Sequence, residues 1–117
     1  MSFFSDVRDF HLKFGQLAPA TPGPIPPEVI SFRIRLLREE LDELERALMR
    51  GQLAEAAQES VDLAYVALGV LVNLGADGDE AWDRVHEANM AKEPHPRGMK
   101  PVKPAGWQKP DLEDLFP

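Results

Sequence analysis

Four carboxylates occupy matching positions in two neighbouring segments of the chain. The segment REELDELER places Glu40 and Glu43 three residues apart, and QESVDLAY places Glu59 and Asp62 three residues apart. On an α-helix this spacing puts both members of a pair on one face. If the segments are helices that fold back at Gly51, Glu43 and Glu59 lie level, each eight residues from the turn. Glu40 and Asp62, each eleven residues from it, lie level as well, so the four side chains face one space.

Such a cluster points to a bound divalent cation. Carboxylates held close together repel one another unless a cation neutralises them. Oxygen ligands alone are typical of Mg²⁺ or Mn²⁺, which keep coordination positions for water and phosphate oxygens. The chain has no cysteine and no Glu-x-x-His pair of the kind that di-iron bundles use. The residues therefore predict a Mg²⁺ site, with Mn²⁺ as an alternative metal.

A solvated acidic surface is the other interpretation of these glutamates. Arg35 and Glu39 stand four residues apart, which is the spacing of ion pairs on an exposed helix. Glu59 and Asp62 fit a solvated surface less well, because the run VDLAYVALGVLVNL is the most apolar in the chain. A helix that buries most of its surface seldom carries unpaired carboxylates. The pair Glu59 and Asp62 therefore favours a functional site over a solvated surface.

The elements that would position these side chains are helices. Apolar residues recur every three or four positions, and no segment alternates as a strand does, so we expect an all-α, four- to five-helix bundle. The predicted helices are 5–14 with Ser5 as N-cap, 27–50 opened by Pro27, 53–74, and 80–92 with Asp77 or Asp79 as N-cap. A proline-rich connector, 18–27, and an irregular C-terminal tail, 93–117, complete one predicted domain of residues 1–117.

Composition narrows the class of protein. A net charge of −7 argues against a nucleic acid or an anionic membrane as partner. The start, MSFFSDVRDF, lacks a basic segment followed by an apolar one, and the apolar run 61–74 is too short to span a bilayer. We therefore expect no export signal, no membrane anchor and a cytoplasmic location. The third helix is apolar nearly all round, which predicts a partner subunit in a homodimer or in a tetramer of paired dimers.

The order and spacing of the acidic motifs resemble those of a known group of enzymes. EELDE, followed after fifteen residues by ESVD, is similar to the EExxE and ExxD motifs of the all-α nucleoside triphosphate pyrophosphohydrolases, the MazG-like and phosphoribosyl-ATP pyrophosphohydrolase-like group. DFHLKFG, VHEANMAK and GWQKPDL resemble further landmarks of a small single-domain branch, so nearly the whole chain is covered. The segment between NMAK and GWQKPDL departs from the pattern of that group, because it is compact in this chain.

The resemblance implies a reaction and roles for the acidic residues. A nucleoside triphosphate would be hydrolysed between its α and β phosphates to a monophosphate and pyrophosphate, in clearance of the nucleotide pool. Glu39 would orient or deprotonate the attacking water, or help to hold a further metal. The residues that would hold Mg²⁺ are Glu40, Glu43, Glu59 and Asp62. Two other functions stay open: hydrolysis of phosphoribosyl-ATP in histidine biosynthesis, and a non-catalytic helical dimerisation module.

Further side chains are candidates for substrate contact. An asparagine can contact phosphate or sugar, and a lysine supplies a point charge for phosphate. Lys92 could instead complement the dipole at a helix C-terminus, lone lysines are usually solvated, and aromatic residues at helical spacing usually belong to a core. The candidates are Asn89, Lys92, Arg97 and Lys100 for phosphate, and His11, Phe14 and Tyr65 for the base.

Overall fold

The computed structural model describes residues 1–117 and is all-helical, which confirms the predicted fold class. Glu93 and Val102 form one isolated antiparallel bridge, and no strand is present. The chain divides into two compact units, Met1–Ala76 and Asp77–Pro117, and the single domain stays a prediction. The helices are α1 Phe3–Phe14, α2 Pro27–Met49, α3 Leu53–Leu74 and α4 Gly78–Met90, followed by a 3-10 helix, Glu113–Leu115.

The ends of the helices show which cap residues act. Ser5 was the predicted N-cap of α1, and this is wrong, because Ser2 caps a helix that begins two residues earlier. The Ser5 N–H donates to Ser2 Oγ at 3.0 Å and the Ser2 N–H donates to Ser5 Oγ at 2.7 Å, which is a capping box. Asp77 caps α4, since its Oδ1 accepts from the Glu80 N–H at 3.1 Å. The bounds of α3 match the prediction.

The first unit is built on a helical hairpin. α2 and α3 pack against each other, and α1 packs on α3. Gly51 in the connecting turn has φ +66°, a left-handed conformation that costs glycine little. Ala47 and Ala56, on either side of this turn, are both buried, and such small side chains allow close approach of the two helices. The connector is tied to the far end of α3, because the Gly23 N–H donates to Leu74 O at 3.0 Å.

A buried polar network joins the three helices of this unit. Arg33 donates from Nε to Asn73 Oδ1 and from Nη2 to His11 Nε2, each at 2.9 Å. Because a guanidinium can only donate, His11 Nε2 must accept, and its Nδ1–H donates to Leu17 O at 3.0 Å. Burial, and to a smaller extent the charge of Arg33, lower the pKa of His11, so this imidazole is neutral. The network fixes α1 and the start of the connector on the hairpin.

In the second unit the C-terminal residues fold onto α4. Arg84 donates to both carboxylate oxygens of Asp114, at 2.6 and 3.1 Å, and to Glu80 at 2.9 Å. The Trp107 indole N–H donates to Ala88 O at 2.8 Å. Apart from the 3-10 helix and the isolated bridge, the predicted irregular tail has no regular structure. No single helix of the protein combines the length and the apolar character needed to cross a membrane.

Replacing Gly69 tests the close packing of α3 on the buried network. In an ordinary helix, alanine is more stable than glycine by roughly 0.5–1 kcal/mol. Here an added Cβ would lie 2.7 Å from Arg33 Nη1 and 3.0 Å from His11 Nε2, and both side chains are held by hydrogen bonds. We therefore expect Gly69→Ala to lower the free energy of unfolding by about 1–3 kcal/mol. Urea denaturation followed by circular dichroism measures this change.

The matched control is Ala67→Gly, an exposed position of the same helix. It should lose only the roughly 0.5–1 kcal/mol of helix propensity. A Gly69→Ala protein as stable as the wild type, or more stable, would contradict the tight contact.

Candidate metal centre

Three carboxylates converge across the α2–α3 hairpin. Glu40, Glu43 and Glu59 each offer an oxygen, and these oxygens all lie within 4.8 Å of one another. Glu40 is half-buried and Glu43 exposed, whereas Glu59 is only 8% exposed. α2 presents Glu40 and Glu43 one turn apart, and α3 brings Glu59 to them from the other side of the turn. The group could hold a metal ion.

The electrostatics of this group favour a cation. Burial raises the pKa of Glu59 to about 7, with smaller contributions from the adjacent carboxyl groups of Glu43 and Glu40. Burial also raises the pKa of Glu40, and repulsion by Glu43 and Asp62 contributes. No lysine or arginine forms an ion pair with any of these residues, since the ion pairs of the chain all involve Arg84. A metal ion would supply the missing positive charge.

Two oxygen atoms fit a metal in a more direct way. Glu40 Oε2 and Glu59 Oε2 are buried and have no hydrogen-bond partner, and they are the only such side-chain atoms in the protein. An unsatisfied buried carboxylate oxygen costs free energy that coordination would recover. A set of carboxylates alone suits a hard, oxygen-preferring divalent ion. The residues present therefore fit a metal ion of the predicted kind.

A cavity of about 320 Å³ adjoins the carboxylates. Glu40 and Asp62 both line it, so the fourth predicted ligand lies beside the three-residue group although it is not one of its close members. The cavity walls are mainly aromatic and aliphatic, and Phe10 meets Tyr65 edge to face with ring centroids 5.4 Å apart. The other residues that line the cavity are His11, Gln16, Phe32, Arg33, Leu36 and Val66.

The predicted residues of the first unit are only partly brought together. His11 and Tyr65 line the cavity, and Phe14 does not, since it is exposed and packs on Phe10 at a centroid distance of 4.6 Å. Glu39 is exposed and lines a different groove of α2, with Arg35 and Arg38 among its neighbours. Neighbouring residues of a helix point about 100° apart, which explains why Glu39 turns away from Glu40. The role of Glu39 stays a prediction.

The predicted phosphate contacts all belong to the second unit. Asn89, Arg97 and Lys100 are exposed, and the half-buried Lys92 holds its ammonium 5.2 Å from the centroid of the Trp107 ring. Their roles stay predictions. A cavity of about 550 Å³ in this unit is lined by Trp107 and by Arg84, but no group of carboxylates there could share a metal. The first unit therefore holds the candidate centre.

Sequence reasoning overlooked three residues of the cavity region, namely Arg33, Gln16 and Asn73. Arg33 is 5% exposed and Asn73 is 1% exposed. A signal was available for Arg33, because it stands four residues after Val29 and three before Leu36, on the apolar face of α2. An arginine at such a position is buried more often than its charge suggests, provided that its N–H groups find acceptors.

A family model places the protein among the nucleotide pyrophosphohydrolases, and its all-helical fold and the acidic group on its helical hairpin agree with that class. The family model of phosphoribosyl-ATP pyrophosphohydrolase matches residues 7–89, which include all four predicted metal ligands. The chain belongs to this family, which is part of the MazG-like all-α nucleoside triphosphate pyrophosphohydrolase superfamily. No individual curated protein is significantly similar to the chain.

The raised pKa of Glu59 predicts how stability depends on pH without a divalent metal. The folded state holds this proton up to about pH 7, whereas the unfolded state releases it near the ordinary value of 4.5. The contribution of Glu59 is therefore fully present below about 4.5 and is lost as the pH rises through 7. We expect Glu59→Gln to remove this loss, so that its gain in stability over the wild type grows between about pH 5 and about pH 8.

Urea denaturation of both proteins in a chelator at the two pH values measures the difference. Comparing the two proteins at each pH is essential, because the buried neutral His11 shifts stability with pH in the opposite direction. Glu55→Gln, an exposed position of the same helix, is the control and should behave as the wild type. Identical pH dependence in Glu59→Gln and wild type would contradict the buried cluster.

Proposed function

We propose that the protein is a Mg²⁺-dependent nucleoside triphosphate pyrophosphohydrolase that converts a ribo- or deoxyribonucleoside triphosphate and water to the monophosphate and pyrophosphate. The observation that carries this proposal is the convergence of Glu40, Glu43 and Glu59 beside an aromatic-walled cavity. Membership of a pyrophosphohydrolase family supports the reaction class. Removal of unwanted or excess nucleotides is the proposed role. Mn²⁺ is the proposed substitute metal.

The proposed roles follow from the acidic group on the hairpin and from the side chains that line the adjoining cavity. Glu40, Glu43, Glu59 and Asp62 would hold the metal. When bound, Mg²⁺ would bind phosphate oxygens and offset the charge that develops as the α–β phosphate bond breaks. Holding the carboxylates on two packed helices fixes the phosphates relative to the rest of the substrate. This positioning supplies part of the rate enhancement.

The remaining proposed contacts follow the sequence predictions. His11 and Tyr65 would border the base, together with the aromatic ring of Phe10, which is an added member. Glu39 would orient the attacking water, and the proposed phosphate contacts are Asn89, Lys92, Arg97 and Lys100. An aromatic pocket of this kind excludes water from the base and leaves the phosphates at the acidic end.

Hydrolysis of phosphoribosyl-ATP is the second candidate function. The matching family model bears the name of that enzyme, which is the observation that favours it. Both candidates use the same acidic centre and break the same kind of bond, so only the substrate separates them. The third candidate, a non-catalytic helical module, would release no pyrophosphate.

An assay for pyrophosphate release tests the proposal. The purified protein with Mg²⁺ is offered the standard ribo- and deoxyribonucleoside triphosphates, a set of base-modified ones, and phosphoribosyl-ATP. We expect at least one triphosphate to be hydrolysed. We also expect the Glu59→Gln, Asp62→Asn double variant to lose activity by at least about 100-fold, because two of the four metal ligands are neutralised.

The control is a Glu45→Gln, Glu55→Gln double variant, which removes the same charge from exposed positions of α2 and α3 outside the cluster. Near-wild-type turnover in the Glu59→Gln, Asp62→Asn protein would refute the site. Turnover of phosphoribosyl-ATP alone would favour the second candidate. No pyrophosphate release from any substrate, in a protein shown to be folded, would favour the non-catalytic helical module.

We also propose that the protein forms a homodimer, or a tetramer of paired dimers, through α2 and α3. The support is a stripe of exposed apolar residues on α2 that recurs at steps of four and seven: Ile30, Ile34, Leu41 and Leu48. Val61 and Leu53 of α3 are exposed as well, at 62% and 80%. An apolar stripe with this period is typical of packing between helices of two subunits.

A charge placed in this stripe should weaken the assembly. We expect Leu48→Glu to shift the protein towards monomer in light scattering coupled to size-exclusion chromatography, since the carboxylate would be buried against apolar side chains. Arg46→Gln, an exposed position that lies roughly 150° around α2 from Leu41 and Leu48, should leave the mass unchanged. A monomeric wild-type protein would refute the proposed assembly.

A further inference from the structure

Arg33 carries a buried positive charge that no carboxylate of the protein neutralises. Its side chain is 5% exposed, and the ion pairs of the chain all involve Arg84 instead. The hydrogen-bond partners of its Nε and Nη2 are the neutral side chains of Asn73, His11 and Gln16, each at 2.9 Å. A buried cation without a counter-ion is costly, and a ligand that offers it a hydrogen-bond acceptor would offset part of that cost.

One nitrogen of this guanidinium is free to bind a ligand. Nη1 donates to no acceptor in the protein, although Nε and Nη2 are fully used. Nη1 is not completely shielded from solvent. The only side-chain atoms that are both fully buried and without a hydrogen-bond partner are Glu40 Oε2 and Glu59 Oε2. Arg33 lines the cavity, and on its α3 side Nη1 lies against Gly69, where an added Cβ would come within 2.7 Å of it. Two N–H donors and a positive charge are therefore available to a ligand.

The position of Arg33 relative to the carboxylates fits the length of a nucleotide. Arg33 precedes Glu40 by two helical turns on α2, and Gly69 follows Asp62 by two turns on α3, which is about 10 Å along either helix. Tyr65 and other apolar side chains line the cavity between them. A nucleotide whose phosphates lie at the acidic end would reach the level of Arg33 with the far edge of its base.

On the basis of the proposed function, we propose that Arg33 is a specificity-determining residue that selects bases with an oxygen at the far edge. Such 4-oxo pyrimidines and 6-oxo purines are uracil, thymine, guanine and hypoxanthine. A guanidinium has only donors, so an oxygen at that edge of the base accepts a hydrogen bond from Nη1 and partly compensates the positive charge. Cytosine and adenine place an amino group there, which sets donor against donor. Substrates with these two bases are disfavoured.

A substrate series with the wild-type protein tests the base oxygen itself. We compare kcat/KM for deoxyuridine triphosphate, deoxycytidine triphosphate and the pyrimidin-2-one deoxynucleoside triphosphate, which carries hydrogen in place of the 4-oxygen. The uracil substrate should exceed both others by about 10- to 100-fold, the range expected for a hydrogen bond from a charged donor. Deoxyguanosine or deoxyinosine triphosphate should exceed deoxyadenosine triphosphate in the same way. Equal values for the uracil and pyrimidin-2-one substrates would overturn the proposal.

Arg33→Met then tests whether the preference comes from this side chain. An apolar residue of similar length in place of a buried charge is often tolerated by the fold. We expect the uracil-to-cytosine ratio to fall towards one, mainly through loss of the uracil rate. Arg46→Met, an exposed arginine of the same helix, should keep the wild-type ratio. Equal loss on every substrate in folded Arg33→Met would assign a structural role to Arg33 and overturn the proposal.

The outcomes separate this inference from the function on which it rests. Hydrolysis of triphosphates without preference for an oxo base overturns the inference and leaves the proposed function standing. Silence with all triphosphates overturns the function. If phosphoribosyl-ATP is the better substrate and Arg33→Met impairs that substrate alone, Arg33 binds its additional phosphate and the base assignment is wrong. If Arg33→Met does not fold, the wild-type series still decides.

Discussion

The close contact of α2 with α3, joined by a turn at Gly51, sets the level of every side chain in the candidate centre. Because the two helices return past each other from a short turn, residues at equal distance from it meet, and Glu43 reaches Glu59 in this way. The same register carries Arg33 to the level of Gly69. Small buried side chains near the turn permit this approach. One extra residue between the turn and the carboxylates of either helix would rotate those carboxylates by about 100° away from their partners on the other helix.

The hairpin thus holds opposite charges at two levels of one cavity. Unpartnered carboxylate oxygens lie at one level, and a guanidinium without a counter-ion lies about two helical turns away. Neither group satisfies the other, since both are held apart by the helices that carry them. Each is costly when buried alone, and a ligand that brings cationic and electron-rich groups to the two levels relieves both.

The sequence predicted those parts of the fold and site that depend on period and counting. The bounds of α3 follow from its apolar residues, and the meeting of Glu40, Glu43 and Glu59 follows from their distances to Gly51. The start of α1 was predicted wrongly because Ser2 and Ser5 are both suitable N-cap residues. The local sequence does not show which of the two begins the helix. Arg33 was missed because a charged residue suggests the surface, although its place in the apolar pattern indicated burial. The acceptors that make its burial tolerable come from distant segments, which only the folded chain brings together.

The distribution of aromatic residues between the two units has a practical consequence for optical work. Both tryptophans of the protein, Trp82 and Trp107, lie in the second unit, and the single tyrosine, Tyr65, lines the cavity of the first. Indole emission therefore comes only from residues of α4 and the C-terminal segment, and the hairpin carries no tryptophan. Loosening of the hairpin would be silent in that signal unless the second unit responds. A ligand-induced change in tryptophan fluorescence would therefore show that the surroundings of Trp82 or Trp107 change when the ligand binds.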